Sequence, residues 1–321
     1  MHVLRRLRET SFQIKLALLL ELVVYVGCRG PLNLSHIPEP VDPIKPVTNR
    51  VILVVLENQK YGAIIGNPRA PYLNSLAEKY AVAGNYFANT HPSIGDYFML
   101  TTGQIISNDL VFQGIVQDDN IVRELGQHSM DWKAYAQSIP EAGYTGDRAY
   151  PYAKTHMPFA YFADIVQYPS QALKMVGTDG LASDVALDDL PAFVYITPDQ
   201  LHNMHDCASG VPGTCSNDDK IADGDAWLRE TLDPIIQSPN FEKHKTLLLI
   251  TWDESFDKDF ENGGGHIPFI VVSPDVKPGY VSDTFFQHES GLRLIEERLG
   301  LPVVLGSSTD APSMQEFFQA P

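Results

Sequence analysis

Two pairs of oxygen-bearing side chains carry the first chemical signal in this chain, Glu57-Asn58 and Asp253-Glu254. Three carboxylates and an amide are hard donors of the kind that hold a divalent cation. Each pair directly follows an apolar run, Val51 to Leu56 in the first case and Leu247 to Trp252 in the second. Such runs read as strands buried on both faces of a parallel sheet. Ligands of open sheets bind beyond the carboxyl ends of the strands. One acidic pair after a strand reads as a loop start or a helix cap. Two pairs after matching strands favour a shared site for one divalent metal ion.

Ser93 lies in Asn89-Thr90-His91-Pro92-Ser93-Ile94-Gly95-Asp96-Tyr97, at the start of a predicted helix. Free backbone N–H groups and the helix dipole favour an oxyanion there. The ordinary role of such a serine is an N-cap. A neighbouring cation turns it into a nucleophile by lowering the pKa of the hydroxyl. His202, His205 and Asp206 cluster just after another predicted strand, and a histidine there can protonate a leaving alkoxide. The run Gly263-Gly264-Gly265 precedes His266 and Ile267. These glycines permit either close approach of backbone to a ligand or a mobile loop.

The elements that must position these groups alternate between strand and helix. Val51 to Leu56, Ala81 to Phe87, Trp132 to Tyr135, Ala192 to Thr197, Leu247 to Trp252 and Ile267 to Ser273 read as strands. Pro71 to Tyr80, Ser93 to Thr102, the stretch from Ile121, Asp223 to Gln237 and His288 to Leu299 read as helices, with Gly103 and Gly300 placed as C-terminal stops. Residues 143–164 are rich in Tyr, Pro and Phe without clear periodicity, and read as a substrate-side loop region. The alternation predicts a three-layer α/β/α sandwich on a mostly parallel sheet.

At 321 residues with 44% hydrophobic and 20% charged residues, the chain is expected to build a substantial core. A net charge of −17 excludes a basic nucleic-acid surface. An anionic substrate therefore needs a local positive centre, which a metal supplies. Arg5, Arg6, Arg8 and Lys15 precede the apolar run Leu16 to Val26, interrupted by Glu21; this reads as an export signal over residues 1–28. Val26-Gly27-Cys28 is similar to a bacterial lipobox with Tyr25 in place of the usual Leu, so lipid attachment through Cys28, simple cleavage and an uncleaved anchor all stay open. Residues 29–48 form a proline-rich tether, and 49–321 the catalytic domain. The expected location is periplasmic, extracellular or lipid-anchored at a membrane. Cys207 and Cys215 are spaced to close a short disulfide loop in an oxidising compartment.

Taken together, Glu57-Asn58, Thr90-His91-Pro92-Ser93, Met204-His205-Asp206, Trp252-Asp253-Glu254 and Gly264-Gly265-His266-Ile267-Pro268 resemble, in order, the phosphoesterase family of bacterial acid phosphatases and phospholipases C. The resemblance runs over about residues 51–302. It implies an alkaline-phosphatase-like fold and hydrolysis of phosphoric esters on a phosphorylated small molecule or lipid. It further implies Ser93 as a nucleophile that becomes phosphoserine, and Glu57, Asn58, Asp253 and Glu254 as the metal-binding set. Asn58 also contacts a phosphoryl oxygen in this scheme. His205 and His266 flank the phosphate, one as general acid, with His91 and Asp206 as adjacent candidates. The chain has Asp253-Glu254 where the acid phosphatases carry two aspartates, and Ser93 where the larger phospholipases C carry a threonine. Alternatives are a phospholipase C acting on lipid head groups and a non-catalytic, cation-dependent surface binding protein. A sulfatase is disfavoured because no Cys/Ser-x-Pro-x-Arg run is present.

Overall fold

The computed structural model describes residues 47–256 and 258–319. The predicted signal with Cys28, and the tether up to residue 46, lie outside the described residues. Among the described residues no helix is long and apolar enough to cross a membrane.

The strands are β1 (Val51–Leu56), β2 (Ala81–Ala83), β3 (Tyr86–Phe87), β4 (Trp132–Ala136), β5 (Met175–Gly177), β6 (Phe193–Thr197), β7 (Leu247–Trp252), β8 (Phe269–Val272), β9 (Tyr280–Ser282) and β10 (Phe286–Gln287). Eight of them form one sheet in the order β5-β4-β6-β1-β7-β8-β2-β9, and β3 pairs with β10 in a small second sheet. Within the large sheet β8 runs against both of its neighbours; every other pairing is parallel. Both β1 and β7 are buried along their whole length. That burial on both faces explains why these strands are continuously apolar rather than alternating. Truncating Leu53 at the centre of β1 would cost about 2–5 kcal/mol through lost burial and a residual cavity.

The helices cover the sheet as two packed groups. Pro71–Lys79 packs against Asn217–Ile236, which also meets Leu181–Ala186, while Ile94–Thr102 packs against His288–Leu299. This is the expected layered α/β architecture. Several boundaries differ from the sequence reading, each for a local reason. The segment 81–87 is two strands, because Gly84 and Asn85 turn the chain out of the large sheet and into its pairing with β10. The long helix starts at Asn217, ahead of Asp223. Ser216 caps it by accepting from the Asp219 amide, and the Asp219 carboxylate accepts from the Ser216 amide in return. Residues 143–164 contain two 3₁₀ turns, Lys154–His156 and Pro158–Tyr161. Cys207 and Cys215 are joined by a disulfide.

Candidate active site

Strand register creates the site. Leu56 faces Trp252 across the parallel β1–β7 pair, so Glu57 and Asp253 leave the sheet side by side. Asn58, in the left-handed region at φ 45°, turns its amide N–H onto Asp253 Oδ1 at 3.2 Å. Its side-chain Nδ2 donates to Glu254 Oε1 at 2.9 Å. A positive φ is tolerated by Asn better than by most residues, and here it swings the amide over the two carboxylates. Glu57, Asp253 and Glu254 are all buried.

Ser93 stands at the entrance of the Ile94–Thr102 helix, but its side chain makes no capping hydrogen bond. Its hydroxyl instead lies 3.5 Å from Glu57 Oε2 and 3.4 Å from Glu254 Oε1. The cap explanation for this serine therefore fails on geometry. The loop before it is braced from below by Asp96, whose Oδ1 accepts from the backbone N–H of Asn89 at 2.9 Å and Thr90 at 3.2 Å. Burial, opposed by those hydrogen bonds, pushes the Asp96 carboxyl well above its ordinary range. Asn89 is clasped in turn by the closing helix: its Nδ2 donates to Glu289 Oε2 at 2.7 Å, and His288 N donates to Asn89 Oδ1 at 3.2 Å. His288 Nε2 donates to the Asp253 carbonyl at 2.6 Å, and burial lowers its pKa to about 4, so it is neutral at neutral pH. With Nε2–H committed, Nδ1 accepts from Tyr86 Oη at 3.3 Å.

The glycine run serves the same loop. A Cβ on Gly264 would fall 2.5 Å from the Thr90 carbonyl oxygen, and one on Gly263 would fall 2.0 Å from that of Asn89. Gly264 N and Gly265 O both bond to Ala88, at 3.0 Å each. These glycines bring backbone against the strand leading to Ser93, so the sequence alternatives of ligand approach or mobile loop give way to close backbone packing.

The carboxylates divide electrostatically. Burial pushes Glu57 upward, but the imidazole of His156, aided by His205, outweighs it and brings the carboxyl down to about 2. Asp253 is pushed well above its ordinary range by burial and by the charges of Glu57 and Glu254. Glu254 is raised by burial, against the pull of His91. A proton shared within this cluster therefore resides on Asp253 in preference to Glu57.

His156 was missed in the sequence. Its Nε2 is 2.9 Å from Glu57 Oε1, its ring stacks on Tyr97 at 5.1 Å, and Tyr97 Oη donates to the same Glu57 oxygen at 2.9 Å. The alternating Lys154-Thr155-His156 inside an aromatic segment was the available signal. His91 Nδ1 is 2.9 Å from Glu254 Oε2, and its Nε2 is 2.7 Å from the Asp259 carbonyl. His205 reaches the site: with Ser93, Glu57, Lys154 and His156 it lines a cavity of about 490 Å³. Its Nδ1 is 2.8 Å from Asp206 Oδ1. His266 is placed elsewhere. Its ring stacks between Tyr61 and Phe87, at 4.6 and 4.9 Å, and its Nε2 is 3.0 Å from the Gly84 carbonyl. His202 is paired with Asp199 at 3.0 Å. A larger groove, about 1060 Å³, lies between the Pro71–Lys79 and Asn217–Ile236 helices and holds none of the predicted site residues.

The donor set suits a hard cation. Asn58 Oδ1 and Asp253 Oδ2 are buried without a hydrogen bond, and among the described residues no Lys or Arg pairs with Glu57, Asp253 or Glu254. Buried acceptors of this kind call for a donor or a cation. Asn58 links the set, through its backbone N–H to Asp253 and its side chain to Glu254, and among the described residues no three His, Cys, Asp or Glu side chains form a ready-made metal-ligand group.

The profile of the Phosphoesterase family matches residues 66–302. The chain is 30% identical over 277 residues to a phosphatidylinositol-3-phosphatase of Mycobacterium tuberculosis, covering 85% of this chain and 84% of that protein. It is 28% identical over 268 residues to a probable acid phosphatase of Kluyveromyces lactis, covering 79% of this chain and 58% of that longer protein. Among solved structures, a protein of the alkaline phosphatase superfamily from Vibrio parahaemolyticus superposes with a TM-score of 0.57. The two are 14% identical, and the match covers 85% of this chain and 72% of the other. That likeness is one of fold. By its profile and its relatives, the chain belongs to the Phosphoesterase family and is a phosphoric-ester hydrolase on an alkaline-phosphatase-like fold.

Proposed function

We propose that this protein is an acid-phosphatase-like phosphomonoesterase that works through a phosphoserine at position 93. The observation that carries the reading is the Ser93 hydroxyl, free of any capping role and aimed at Glu57 and Glu254 on the wall of a closed-in cavity. Ser93 Oγ attacks phosphorus in line and gives its proton to the carboxylate cluster. The bond from phosphorus to the leaving oxygen breaks, and His205 protonates that oxygen. Asp206 supports this role, since accepting from Nδ1–H fixes the tautomer and the orientation of the ring. Water then attacks phosphorus and gives a proton to the deprotonated His205, the P–Oγ bond breaks, and the carboxylate cluster returns its proton to Ser93 Oγ as phosphate leaves. Glu57, Asn58, Asp253 and Glu254 would hold a divalent cation, which would supply positive charge to lower the hydroxyl pKa and offset the charge of the phosphoryl group. Glu57 is kept ionised for this by His156, and Tyr97 donates to the same Glu57 oxygen.

Ser93→Ala tests the reading. Turnover of an aryl phosphate should fall by roughly a thousandfold or more, and a phosphopeptide containing residue 93 should be trapped from acid-quenched wild type only. Wild-type rates in the variant would refute the assignment.

A second reading takes a lipid phosphate as substrate. Leu110 and Val111 are exposed and line the same cavity, and the Mycobacterium tuberculosis relative is named for a phosphoinositide. Comparing a soluble aryl phosphate with a phosphoinositide monoester and with phosphatidylcholine in vesicles separates monoesterase, lipid phosphatase and phospholipase C. Export is part of the same proposal, supported by the disulfide at Cys207–Cys215.

A further inference from the structure

The catalytic cavity has a second wall, built from residues 147–161. Lys154 lies on it, with its side chain buried and lining the same cavity as Ser93, Glu57 and His205. Its ammonium has unusual company. Nζ sits 4.5 Å from the centre of the Tyr161 ring and 3.4 Å from Gln113 Oε1. Among the described residues no carboxylate stands within ion-pair distance of it; Asp147, also on the cavity wall, acts on it only at longer range. Burial of an ammonium against a ring face and a neutral amide is costly unless an anion completes the site. Arg148 is the other Lys or Arg on the cavity wall, in a chain that carries 40 acidic against 23 basic residues. Glu57 of the acidic cluster lines the same cavity.

We propose that Lys154 is a substrate-binding residue, a cation without a carboxylate partner that shares the cavity with Ser93 and holds the non-transferring oxygens of a phosphate dianion. The proposal rests on the phosphomonoesterase reading and adds a substrate class: a dianionic monoester gains more from this ammonium than a monoanionic diester. Tyr161 and Gln113 act as positioning residues, because they fix Nζ at the cavity wall without neutralising it. Burial also lowers the lysine pKa, and an anion bound in the cavity would oppose that shift.

The test is Lys154→Met, which keeps the apolar stem and removes the charge, alongside Lys154→Arg. The probe is inorganic phosphate, titrated into the full-length, metal-replete protein by calorimetry, so that binding is read without turnover. The expected result is a Kd for phosphate about ten- to a hundredfold weaker in the Met variant, partly restored by Arg. KM for an aryl phosphomonoester should rise in parallel, with a smaller change for an aryl diester. Thermal midpoints check that both variants fold; if the Met variant does not, Lys154→Gln replaces it. Equal phosphate affinity in wild type and a folded, uncharged variant overturns the proposal while leaving Ser93 in place. Wild-type turnover in Ser93→Ala, with Lys154-dependent phosphate binding intact, overturns the serine mechanism and leaves the role of the lysine standing.

Discussion

His156 and Glu57 form a closed pair: Nε2 lies 2.9 Å from Oε1, and the two side chains are only 5% and 3% exposed. The ring is held by Tyr97 on one face, so the pair is rigid as well as dry. Replacing His156 by Ala leaves the Tyr97 hydroxyl as the remaining partner of that oxygen. The expected cost is about 1–3 kcal/mol of stability and at least about tenfold in turnover. Urea unfolding and steady-state rates measure both; a variant with unchanged rates would mean that Glu57 does not need its imidazole.

Glu57→Ala and Asp253→Ala each remove a carboxylate from the proposed cation set. Metal analysis of the purified variants should show loss of the bound ion, and chelation of the wild type should abolish hydrolysis reversibly. Unchanged stoichiometry in both variants would place the ion elsewhere.

Gly264→Ala tests whether backbone contact positions the nucleophile. The added methyl meets the Thr90 carbonyl at 2.5 Å, so the Asn89–Ser93 segment must shift. Overpacking of this kind costs roughly 1–3 kcal/mol, and a displacement of the serine should lower turnover by about tenfold or more. A crystal structure of the variant with an unmoved Ser93, together with full activity, would contradict the role given to the glycines.

Acid sensitivity has a source far from the catalytic rim. Asp188 accepts from Lys243 Nζ at 2.8 Å and His244 Nε2 at 2.8 Å, and pairs with Arg50 at 3.3 Å. Lys243 and His244, with Arg50 behind them, hold its carboxyl below the ordinary aspartate range. A depressed carboxyl stabilises the fold above the unfolded pKa, near pH 4, and the contribution is lost as pH falls toward the folded value. Asp188→Asn should therefore lower the unfolding midpoint at neutral pH and flatten the acid limb below about pH 4, with kcat unchanged. An acid limb as steep as in wild type would assign the effect to other groups.

The parts of the fold visible in the sequence are those with strong local patterns. The apolar runs of β1 and β7, the helix after Ser93 and the closing helix up to Gly300 all occur where periodicity or a stop residue marks them. The Asn217 helix start was also readable, since Ser216 and Asp219 have capping-box spacing, but its first turns lack the apolar stripe that drew the boundary to Asp223. The placement of Lys154 and His156 was not readable. Their segment consists of short 3₁₀ turns without a repeat, and its path is set by contacts with Tyr97 and Glu57, distant in sequence. Nor does spacing reveal that His266 lies in an aromatic stack while His205 lines the cavity; that depends on where two loops fold back.

Tyr86–Phe87 pairs with Phe286–Gln287, and Asn89 is gripped by His288 and Glu289. The segment that presents the serine is thus fastened by a stretch of polypeptide 200 residues downstream in the chain. The position of the serine consequently depends on the docking of that distant stretch. A proteolytic nick ahead of the His288–Leu299 helix is expected to lower turnover without touching a reacting group.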